Sequence, residues 1–530
     1  MGNRCTMPSR VGLVAILTLL GSLPLVSGVR GDTPRPENTW TRTREPVIVF
    51  GDQLSQFAGA ALDDLFVYAY SGGSWTLVPF QFDEVDANGV YTVEDGLLDA
   101  NDELVLMAMD LGDQADLSKW IPDADSQTHP RYQLQVTNSL NPSERGWIYV
   151  YRSATLAPSP PAGYVEWDAG NNQIVAGTYI MGFTPQDHVG VASLELNGSG
   201  IDALDRNKIR LNVTCWIGTF HFQITLTEED LPASDPTPDI EGPVRLGGGN
   251  TDSSTWAYHS LYHLRTVVDL AGLEPPDLCT SIDINWLRFS SDWLDPTATG
   301  MAPATYYDSN TPGGVPVDGN PDGDPIKPPT GWHQTSGALG STVQVVDVLP
   351  GGGSVWNYYW DNLASNPEDT GDHQSFGDAG FRVDAPSDQI PFELLTFVLD
   401  PAQPNIGATY RSYHTHPLEV AAAAQSYDCR PAGVSFSWPP GTIVGTETTF
   451  TASVSEGQAP FTFAWGFGDD GSSASNNPVA HTFTFTGTFP VTLTVSNACG
   501  TAEPVVKHVT VFAPGEVHLA YLPLLLKAHP

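Results

Sequence analysis

The sequence is poor in positive charge. Against 61 Asp and Glu it sets only 22 Lys and Arg, a formal net charge of −39 over 530 residues. A surface of that sign repels a phosphate backbone, so it counts against nucleic acid as a partner and in favour of cations such as Ca²⁺. Cysteine is scarce as well, with five in all and no C-x-x-C, which counts against zinc ribbons and thioredoxin-like chemistry. Past the N-terminal stretch no apolar run reaches the roughly 18 residues that a membrane span needs. The chain has no G-x-S-x-G elbow, no Walker loop, no H-E-x-x-H and no nucleophilic Cys motif, which disfavours serine-hydrolase, nucleotide and cysteine-protease chemistry. Long amphipathic helical patterns and internal repeats are also missing.

Gly (51) and Pro (44) are plentiful. Together with many short alternating apolar segments they predict an all-β protein of several β-sandwiches, since a chain of this length is too long for one core. Residues 1–28 read as a secretory signal, with Arg4 and Arg10 ahead of the apolar run from Val11 to Val26 and small residues at Val26-Ser27-Gly28. Residues 29–45 form a polar leader. Short strands predict a first β-sandwich over 46–156, closed by the Pro-rich stretch at 157–162. A larger β-rich unit is expected over 164–420, a linker at 421–428, a last sandwich over 429–513 and a short apolar tail at 514–530. Cys5 leaves with the signal. Of the remaining four cysteines, the pairs Cys215 with Cys279 and Cys429 with Cys499 fit best in an oxidising compartment, although the sequence leaves the pairing open.

Several clusters carry candidate chemistry. In D-G-N-P-D-G-D, Asp318, Asn320, Asp322 and Asp324 alternate around Gly323 as in the first half of a calcium loop. Pro329 stands where an EF-hand has its bidentate Glu, so any Ca²⁺ needs ligands from elsewhere, with Asp308 as one source. Glu84, Asp86, Asn88 and Asp95 form a second such pattern; an acidic turn is the plain alternative for both. His259 with His263 and His414 with His416 would share faces on strands and could serve a transition metal, with paired surface histidines as the alternative. Asp361, Asp369, Asp372, His373 and Asp378 are expected in one loop beside Trp356, Tyr358, Tyr359 and Trp360. Aromatic faces next to carboxylates suit sugar rings, although W-N-Y-Y-W also reads as a core strand.

The last sandwich has the most specific pattern. Phe461, Phe463, Trp465 and Phe467 alternate into a G-D-D-G turn, and Phe489, Val491, Leu493 and Val495 resume the alternation. With Trp465 to Gly471, His481 to Phe483 and Gly487 to Val495, the segment resembles a PKD domain, whose hallmarks are W-x-F-G-D-G, H-x-F and G-x-F-x-V-x-L-x-V. Asp470 is one residue extra. That resemblance implies an immunoglobulin-like extracellular module, commonly a spacer or a weak binder of polysaccharide or protein. Upstream, V-P-F-Q-F-D-E, D-G-L-L-D-A-N-D-E-L-V, G-P-V-R and D-T-G-D-H-Q-S-F-G-D-A-G resemble segments of large secreted bacterial β-proteins. G-P-V-R also resembles a strand in supersandwich domains of some polysaccharide lyases, and carries no catalytic residue with it. The tail resembles short Tyr-Leu-Pro-Leu endings of secreted bacterial proteins, which implies sorting or surface retention.

The expectation is a secreted or cell-surface protein that binds glycan or another surface partner through Ca²⁺-stabilised loops, with no organic cofactor. A secreted polysaccharide lyase or hydrolase with its site in 164–420 and a structural stalk are the alternatives.

Overall fold

A computed structural model describes residues 40–183, 191–230, 237–250, 253–270, 279–348, 353–366, 369–386, 389–400, 402–469 and 476–515. The expected signal, most of the leader, Asp470 and residues 516–530 of the tail lie outside them. Period-two alternation makes nearly every element an antiparallel strand, as the all-β expectation required.

The first unit is a sandwich. Its three-stranded sheet runs Pro46–Phe50, Glu103–Met107, Gln81–Asp83. The facing five-stranded sheet runs Glu419–Gln425, Arg131–Asn138, Asn141–Arg152, Leu65–Ser71, Ser74–Leu77. Val47, Val49, Leu104 and Leu106 meet Val67, Leu134, Val136, Ile148 and Val150 in its core. The edge strand Glu419–Gln425 overlaps the segment expected to be a linker. It pairs antiparallel with Arg131–Asn138, from Glu419 opposite Thr137 to Gln425 opposite Arg131. The chain therefore leaves this sandwich after Arg152 and returns to it at Glu419, and what lies between is an insertion. Four alanines have weak β-propensity, but Val420 and Ala422 lie on the core face, and tertiary packing decides the outcome.

The inserted unit holds two large sheets. A six-stranded sheet runs Phe220–Thr227, Leu204–Ile217, Ser281–Trp293, Ser375–Asp384, Ser354–Asn362, Ile326–Lys327. In the nine-stranded sheet the central strands are Leu261–Asp269, Gln389–Leu399, Gly340–Val348 and Trp332–Gly337. Leu211, Leu287, Phe289, Phe381 and Val383 of the first sheet pack on Val268, Val346, Ile390 and Phe392 of the second. The other face of the nine-stranded sheet presents Trp256, Val343, Val345, Leu395 and Phe397 to Val85, Val105 and Met107 of the first unit. The nine-stranded sheet is thus the middle layer. A disulfide joins Cys215 to Cys279.

The two units are locked by a buried cation. Arg245, of G-P-V-R, donates from Nε to Asp83 Oδ2 at 2.6 Å and from Nη2 to Glu103 Oε2 at 2.5 Å. Its guanidinium lies 3.8 Å from the Trp256 ring centroid. Gln81 Oε1 accepts from the backbone N–H groups of Val244 and Arg245 at 3.2 and 3.1 Å, while its Nε2 donates to Asp83 Oδ1. V-P-F-Q-F-D-E and G-P-V-R are therefore two halves of one interface.

The last unit packs a sheet of Ser435–Ser437, Glu447–Ser453 and Val479–Thr482 against one of Thr462–Gly466, Gly487–Asn497, Gly500–Thr501 and Val505–Val511. Trp465 is fully buried among Phe436, Phe450 and Phe467. The His481 ring stacks on Phe467 at 3.9 Å, and its Nε2 bonds Asp469 Oδ2 at 2.9 Å. Those two contacts tie the Asp turn to the later His in this unit. A disulfide joins Cys429 to Cys499. Lys119 of the first unit pairs with Glu456, which also accepts from Ser118 Oγ at 2.7 Å.

Candidate functional site

The outer face of the six-stranded sheet carries aromatic rings outside the packed cores. Trp286, Trp356, Tyr358 and Trp360 join none of the packed apolar clusters among the described residues. Cross-strand partners share a face. Arg210 stands opposite Arg288, Arg288 opposite Arg382, and Arg382 opposite Trp356, so one row across four strands holds three arginines and a tryptophan. Two residues along, the neighbouring row holds Lys208, Ser290, Gly380 and Tyr358.

One end of this face is sealed. Lys208 is wholly buried and donates to Asp292 Oδ2 at 2.5 Å and Asp369 Oδ2 at 2.9 Å. Arg210 donates to Asp369 Oδ1 at 2.8 Å and Thr370 Oγ1 at 2.7 Å, and pairs with buried Glu228. Burial would raise the Asp369 pKa, but the Lys208 and Arg210 contacts outweigh it and hold the carboxyl below its ordinary value. Asp369 is therefore a staple that fixes its loop over the sheet. Asp205, whose Oδ1 accepts from Asp372 N at 3.1 Å, is pushed up to about 6 by burial and then by the Asp372 charge.

The other end is open. A cleft of about 340 Å³ is lined by Trp286, Arg288, Ile326, Tyr358, Trp360 and Arg382. Arg288 stacks 4.0 Å from the Tyr358 ring centroid and Arg382 4.6 Å from that of Trp286. Arg288 Nη2 lies 3.7 Å from Asp378 Oδ2, and Asp378 is buried behind it. Arg382 Nε donates to Asp384 Oδ1 at 2.6 Å. Four buried polar atoms of this face have no hydrogen-bond partner among the described residues: Arg288 Nε, Ser290 Oγ, Asp378 Oδ1 and Trp356 Nε1.

The expected ligand cluster is therefore divided. Trp356, Tyr358 and Asp378 share the outer face, whereas Tyr359 points inward and stacks 3.9 Å from Tyr306. Asp369, Asp372 and His373 lie in the loop at the sealed end. Asp361 and Asp378, expected in that loop, belong to strands Ser354–Asn362 and Ser375–Asp384. Trp286, Arg288 and Arg382 were not singled out. The alternation N-W-L-R over 285–288 and F-R-V-D over 381–384 is the signal that places them on one face.

In both acidic loops the carboxylates turn toward backbone N–H groups. Asp318 Oδ1 accepts from Asn320 N, Asp324 Oδ1 from Ile326 N, and Asp361 Oδ2 from Asp318 N and Gly319 N. Asp308, the suggested extra ligand, is fully buried and bonds Thr311, Tyr306 and Asn357. Glu84 Oε1 accepts from Asp95 N and Gly96 N, while Asp86 Oδ1 accepts from Asn88 N and Val90 N. No group of three or more His, Cys, Asp and Glu side chains gathers in a metal-holding arrangement among the described residues.

The histidines pair differently from their spacing. His414 and His416 belong to helix Gly407–Thr415 and its cap, where strands were expected. His259 is buried against Tyr164, while His263 and His414, one from each pair, meet at Glu393. His263 Nε2 is 2.7 Å from Glu393 Oε1, and His414 Nε2 is 2.8 Å from Asp347 Oδ2 and 3.8 Å from Glu393 Oε2.

These features define an all-β, multidomain protein whose last unit is an immunoglobulin-like sandwich. Residues 440–512 match the family model of the PKD domain, so this unit is a PKD domain. Domains of this family are typical of extracellular and surface proteins, and no described helix is long and apolar enough to cross a membrane. No curated protein matches the chain.

Proposed function

We propose that the protein is exported and acts as a noncatalytic glycan-binding protein, with the PKD domain as a spacer and the open outer face of the six-stranded sheet as its binding surface. The observation that carries this reading is the cleft where Trp286, Tyr358 and Trp360 stand beside Arg288 and Arg382. Sugar rings stack on aromatic faces through their C–H groups and bind planar donors through their hydroxyls, and this wall supplies both. Tyr358, buried and set among carboxylates, has its pKa raised well above normal, which disfavours a lyase-type tyrosinate base there. Calcium enters the reading at one place, the loop 318–324, where the exposed Asp322 carboxylate is close enough to Asp318 to feel its charge, and its part is decided by titration.

A glycan array run with a reducing-end and unsaturated-product assay, with Ca²⁺ and with chelator, tests the reading. Binding without product release is expected, and it should be lost in Trp286→Ala. Chain cleavage would replace this reading by the enzyme alternative, and absence of binding to any glycan would leave the stalk. A thermal midpoint unchanged between Ca²⁺ and chelator removes calcium from the account.

A further inference from the structure

The cleft distinguishes among sugars. We infer that it selects an anionic sugar residue, one bearing a carboxylate or a sulfate, over a neutral one; this rests on the glycan-binding reading above. Its wall contains two arginines and no acidic side chain, although Asp and Glu outnumber Lys and Arg by 61 to 22 over the chain. Of the nearby carboxylates, Asp378 is 1% exposed behind Arg288, while Asp384, 35% exposed on the same face opposite Trp286, occupies Nε of Arg382.

Arg288 is not saturated by its protein partners. Its nearest carboxylate oxygen is 3.7 Å away, its Nε has no partner, and its side chain is 14% exposed where it lines the cleft. A guanidinium presents planar donors in a fork that matches a carboxylate or sulfate, and both of these are already oriented by rings, Arg288 on Tyr358 and Arg382 on Trp286. Pre-orientation lowers the ordering cost that binding has to offset. A neutral sugar would stack on Trp360 and Trp286 and leave Arg382 with only Asp384, and Arg288 with only the more distant Asp378, as anions. The net charge of −39 repels polyanions at long range, so affinity for one must come from this local arrangement and not from general attraction.

Direct binding of the full chain to matched pairs tests this: polygalacturonate against its fully methyl-esterified form, and dextran sulfate against dextran. At least tenfold tighter binding to one anionic member than to its neutral partner is expected, and the pair that discriminates tells carboxylate from sulfate. That preference should fall with added salt and should drop toward unity in Arg382→Gln. Arg382 is about a quarter exposed, so folding of Arg382→Gln is checked by an unaltered melting curve, and Arg288→Lys should weaken the preference while keeping charge. Equal binding within both pairs overturns the inference and leaves glycan binding standing. No binding to any of the four overturns the inference, and no binding to any glycan on the array as well overturns both.

Discussion

Removing Arg245 should uncouple the first unit from the inserted one. Arg245→Met keeps much of the volume and the contact with Trp256 but strips Asp83 and Glu103 of their shared cation. Breaking a buried pair by deleting one partner costs about 3–5 kcal/mol, because the orphaned charges stay out of water. With a urea m-value of roughly 1–3 kcal/mol/M, that is a loss of about 2 M in the midpoint of the transition that exposes this interface. Fluorescence suits the readout, since Trp256 sits against the guanidinium. A pH dependence follows as well. Burial outweighs Arg245 and already holds the Asp83 pKa above its ordinary value. A carboxyl whose folded pKa is raised binds more protons folded than unfolded, so its contribution falls as pH rises through that interval. Without the arginine the interval widens upward, and the deficit of the variant should be smaller near about pH 5 than at pH 7. Adding Asp83→Asn and Glu103→Gln should recover most of the loss. A variant within about 0.5 kcal/mol of the parent, or a deficit equal at both pH values, would refute the argument that this cation is the lock.

Other outcomes are expected elsewhere in the fold. The His263 bond, and then burial acting against it, leave the Glu393 pKa below normal, so its contribution is complete above about pH 4.5 and lost as pH falls through the folded value; Glu393→Gln should cost about 1 kcal/mol at pH 7 in thermal melts and little at pH 3. Reducing Cys429–Cys499, which spans 70 residues, should destabilise the PKD domain by about 4 kcal/mol in denaturant titration, with the first unit little affected. Glu456→Ala removes a partly exposed pair with Lys119 and should change the PKD melting transition by under about 1 kcal/mol, while raising protease sensitivity of the junction near Tyr427. Gly242→Ala would put a Cβ 2.1 Å from Gln81 Oε1 and should lower the same midpoint as Arg245→Met.

The parts of the fold that could be read from the sequence are those whose partners are close in the chain. Around Trp465, the aromatic alternation and the Asp469–His481 pair lie within one unit, and a local pattern describes them fully. Strand Glu419–Gln425 was legible neither as strand nor as part of the first sandwich, because its partner Arg131–Asn138 lies some three hundred residues earlier and A-A-A-A carries almost no β signal. G-P-V-R and V-P-F-Q-F-D-E stood out as motifs, but that they are one interface depends on contacts across 162 residues. In the site, W-N-Y-Y-W reads as one aromatic wall although its period-two alternation turns Tyr359 inward onto Tyr306, and Asp369 looked like a free ligand only because Lys208 and Arg210, about 160 residues upstream, were invisible to it.

The scarcity of cations is itself informative once their positions are known. Arg42, Arg131, Arg245 and Lys208 are each almost wholly buried, and Arg210 nearly so. Each ties distant segments together: Arg42 holds the carbonyls of Tyr413 and His416, and Arg131 those of Ala115, Asp116 and Lys119. A guanidinium with five donors can satisfy several loop carbonyls at once, which suits a Gly- and Pro-rich chain whose long loops need fixing. These five buried cations lie in an interior that, among the described residues, also holds ten buried Asp and Glu, so they answer local carboxylates and carbonyls. Arg288 and Arg382, partly exposed in one cleft with no acid in its wall, then cannot be ascribed to an even scatter of surface charge. Their contacts are with side chains of the same sheet: Arg382 pairs with Asp384 on its own strand and stacks on Trp286, and Arg288 stacks on Tyr358 and stands 3.7 Å from Asp378. Two rings stacked on two cations at an open sheet face are the geometry on which the proposed preference for an anionic sugar rests.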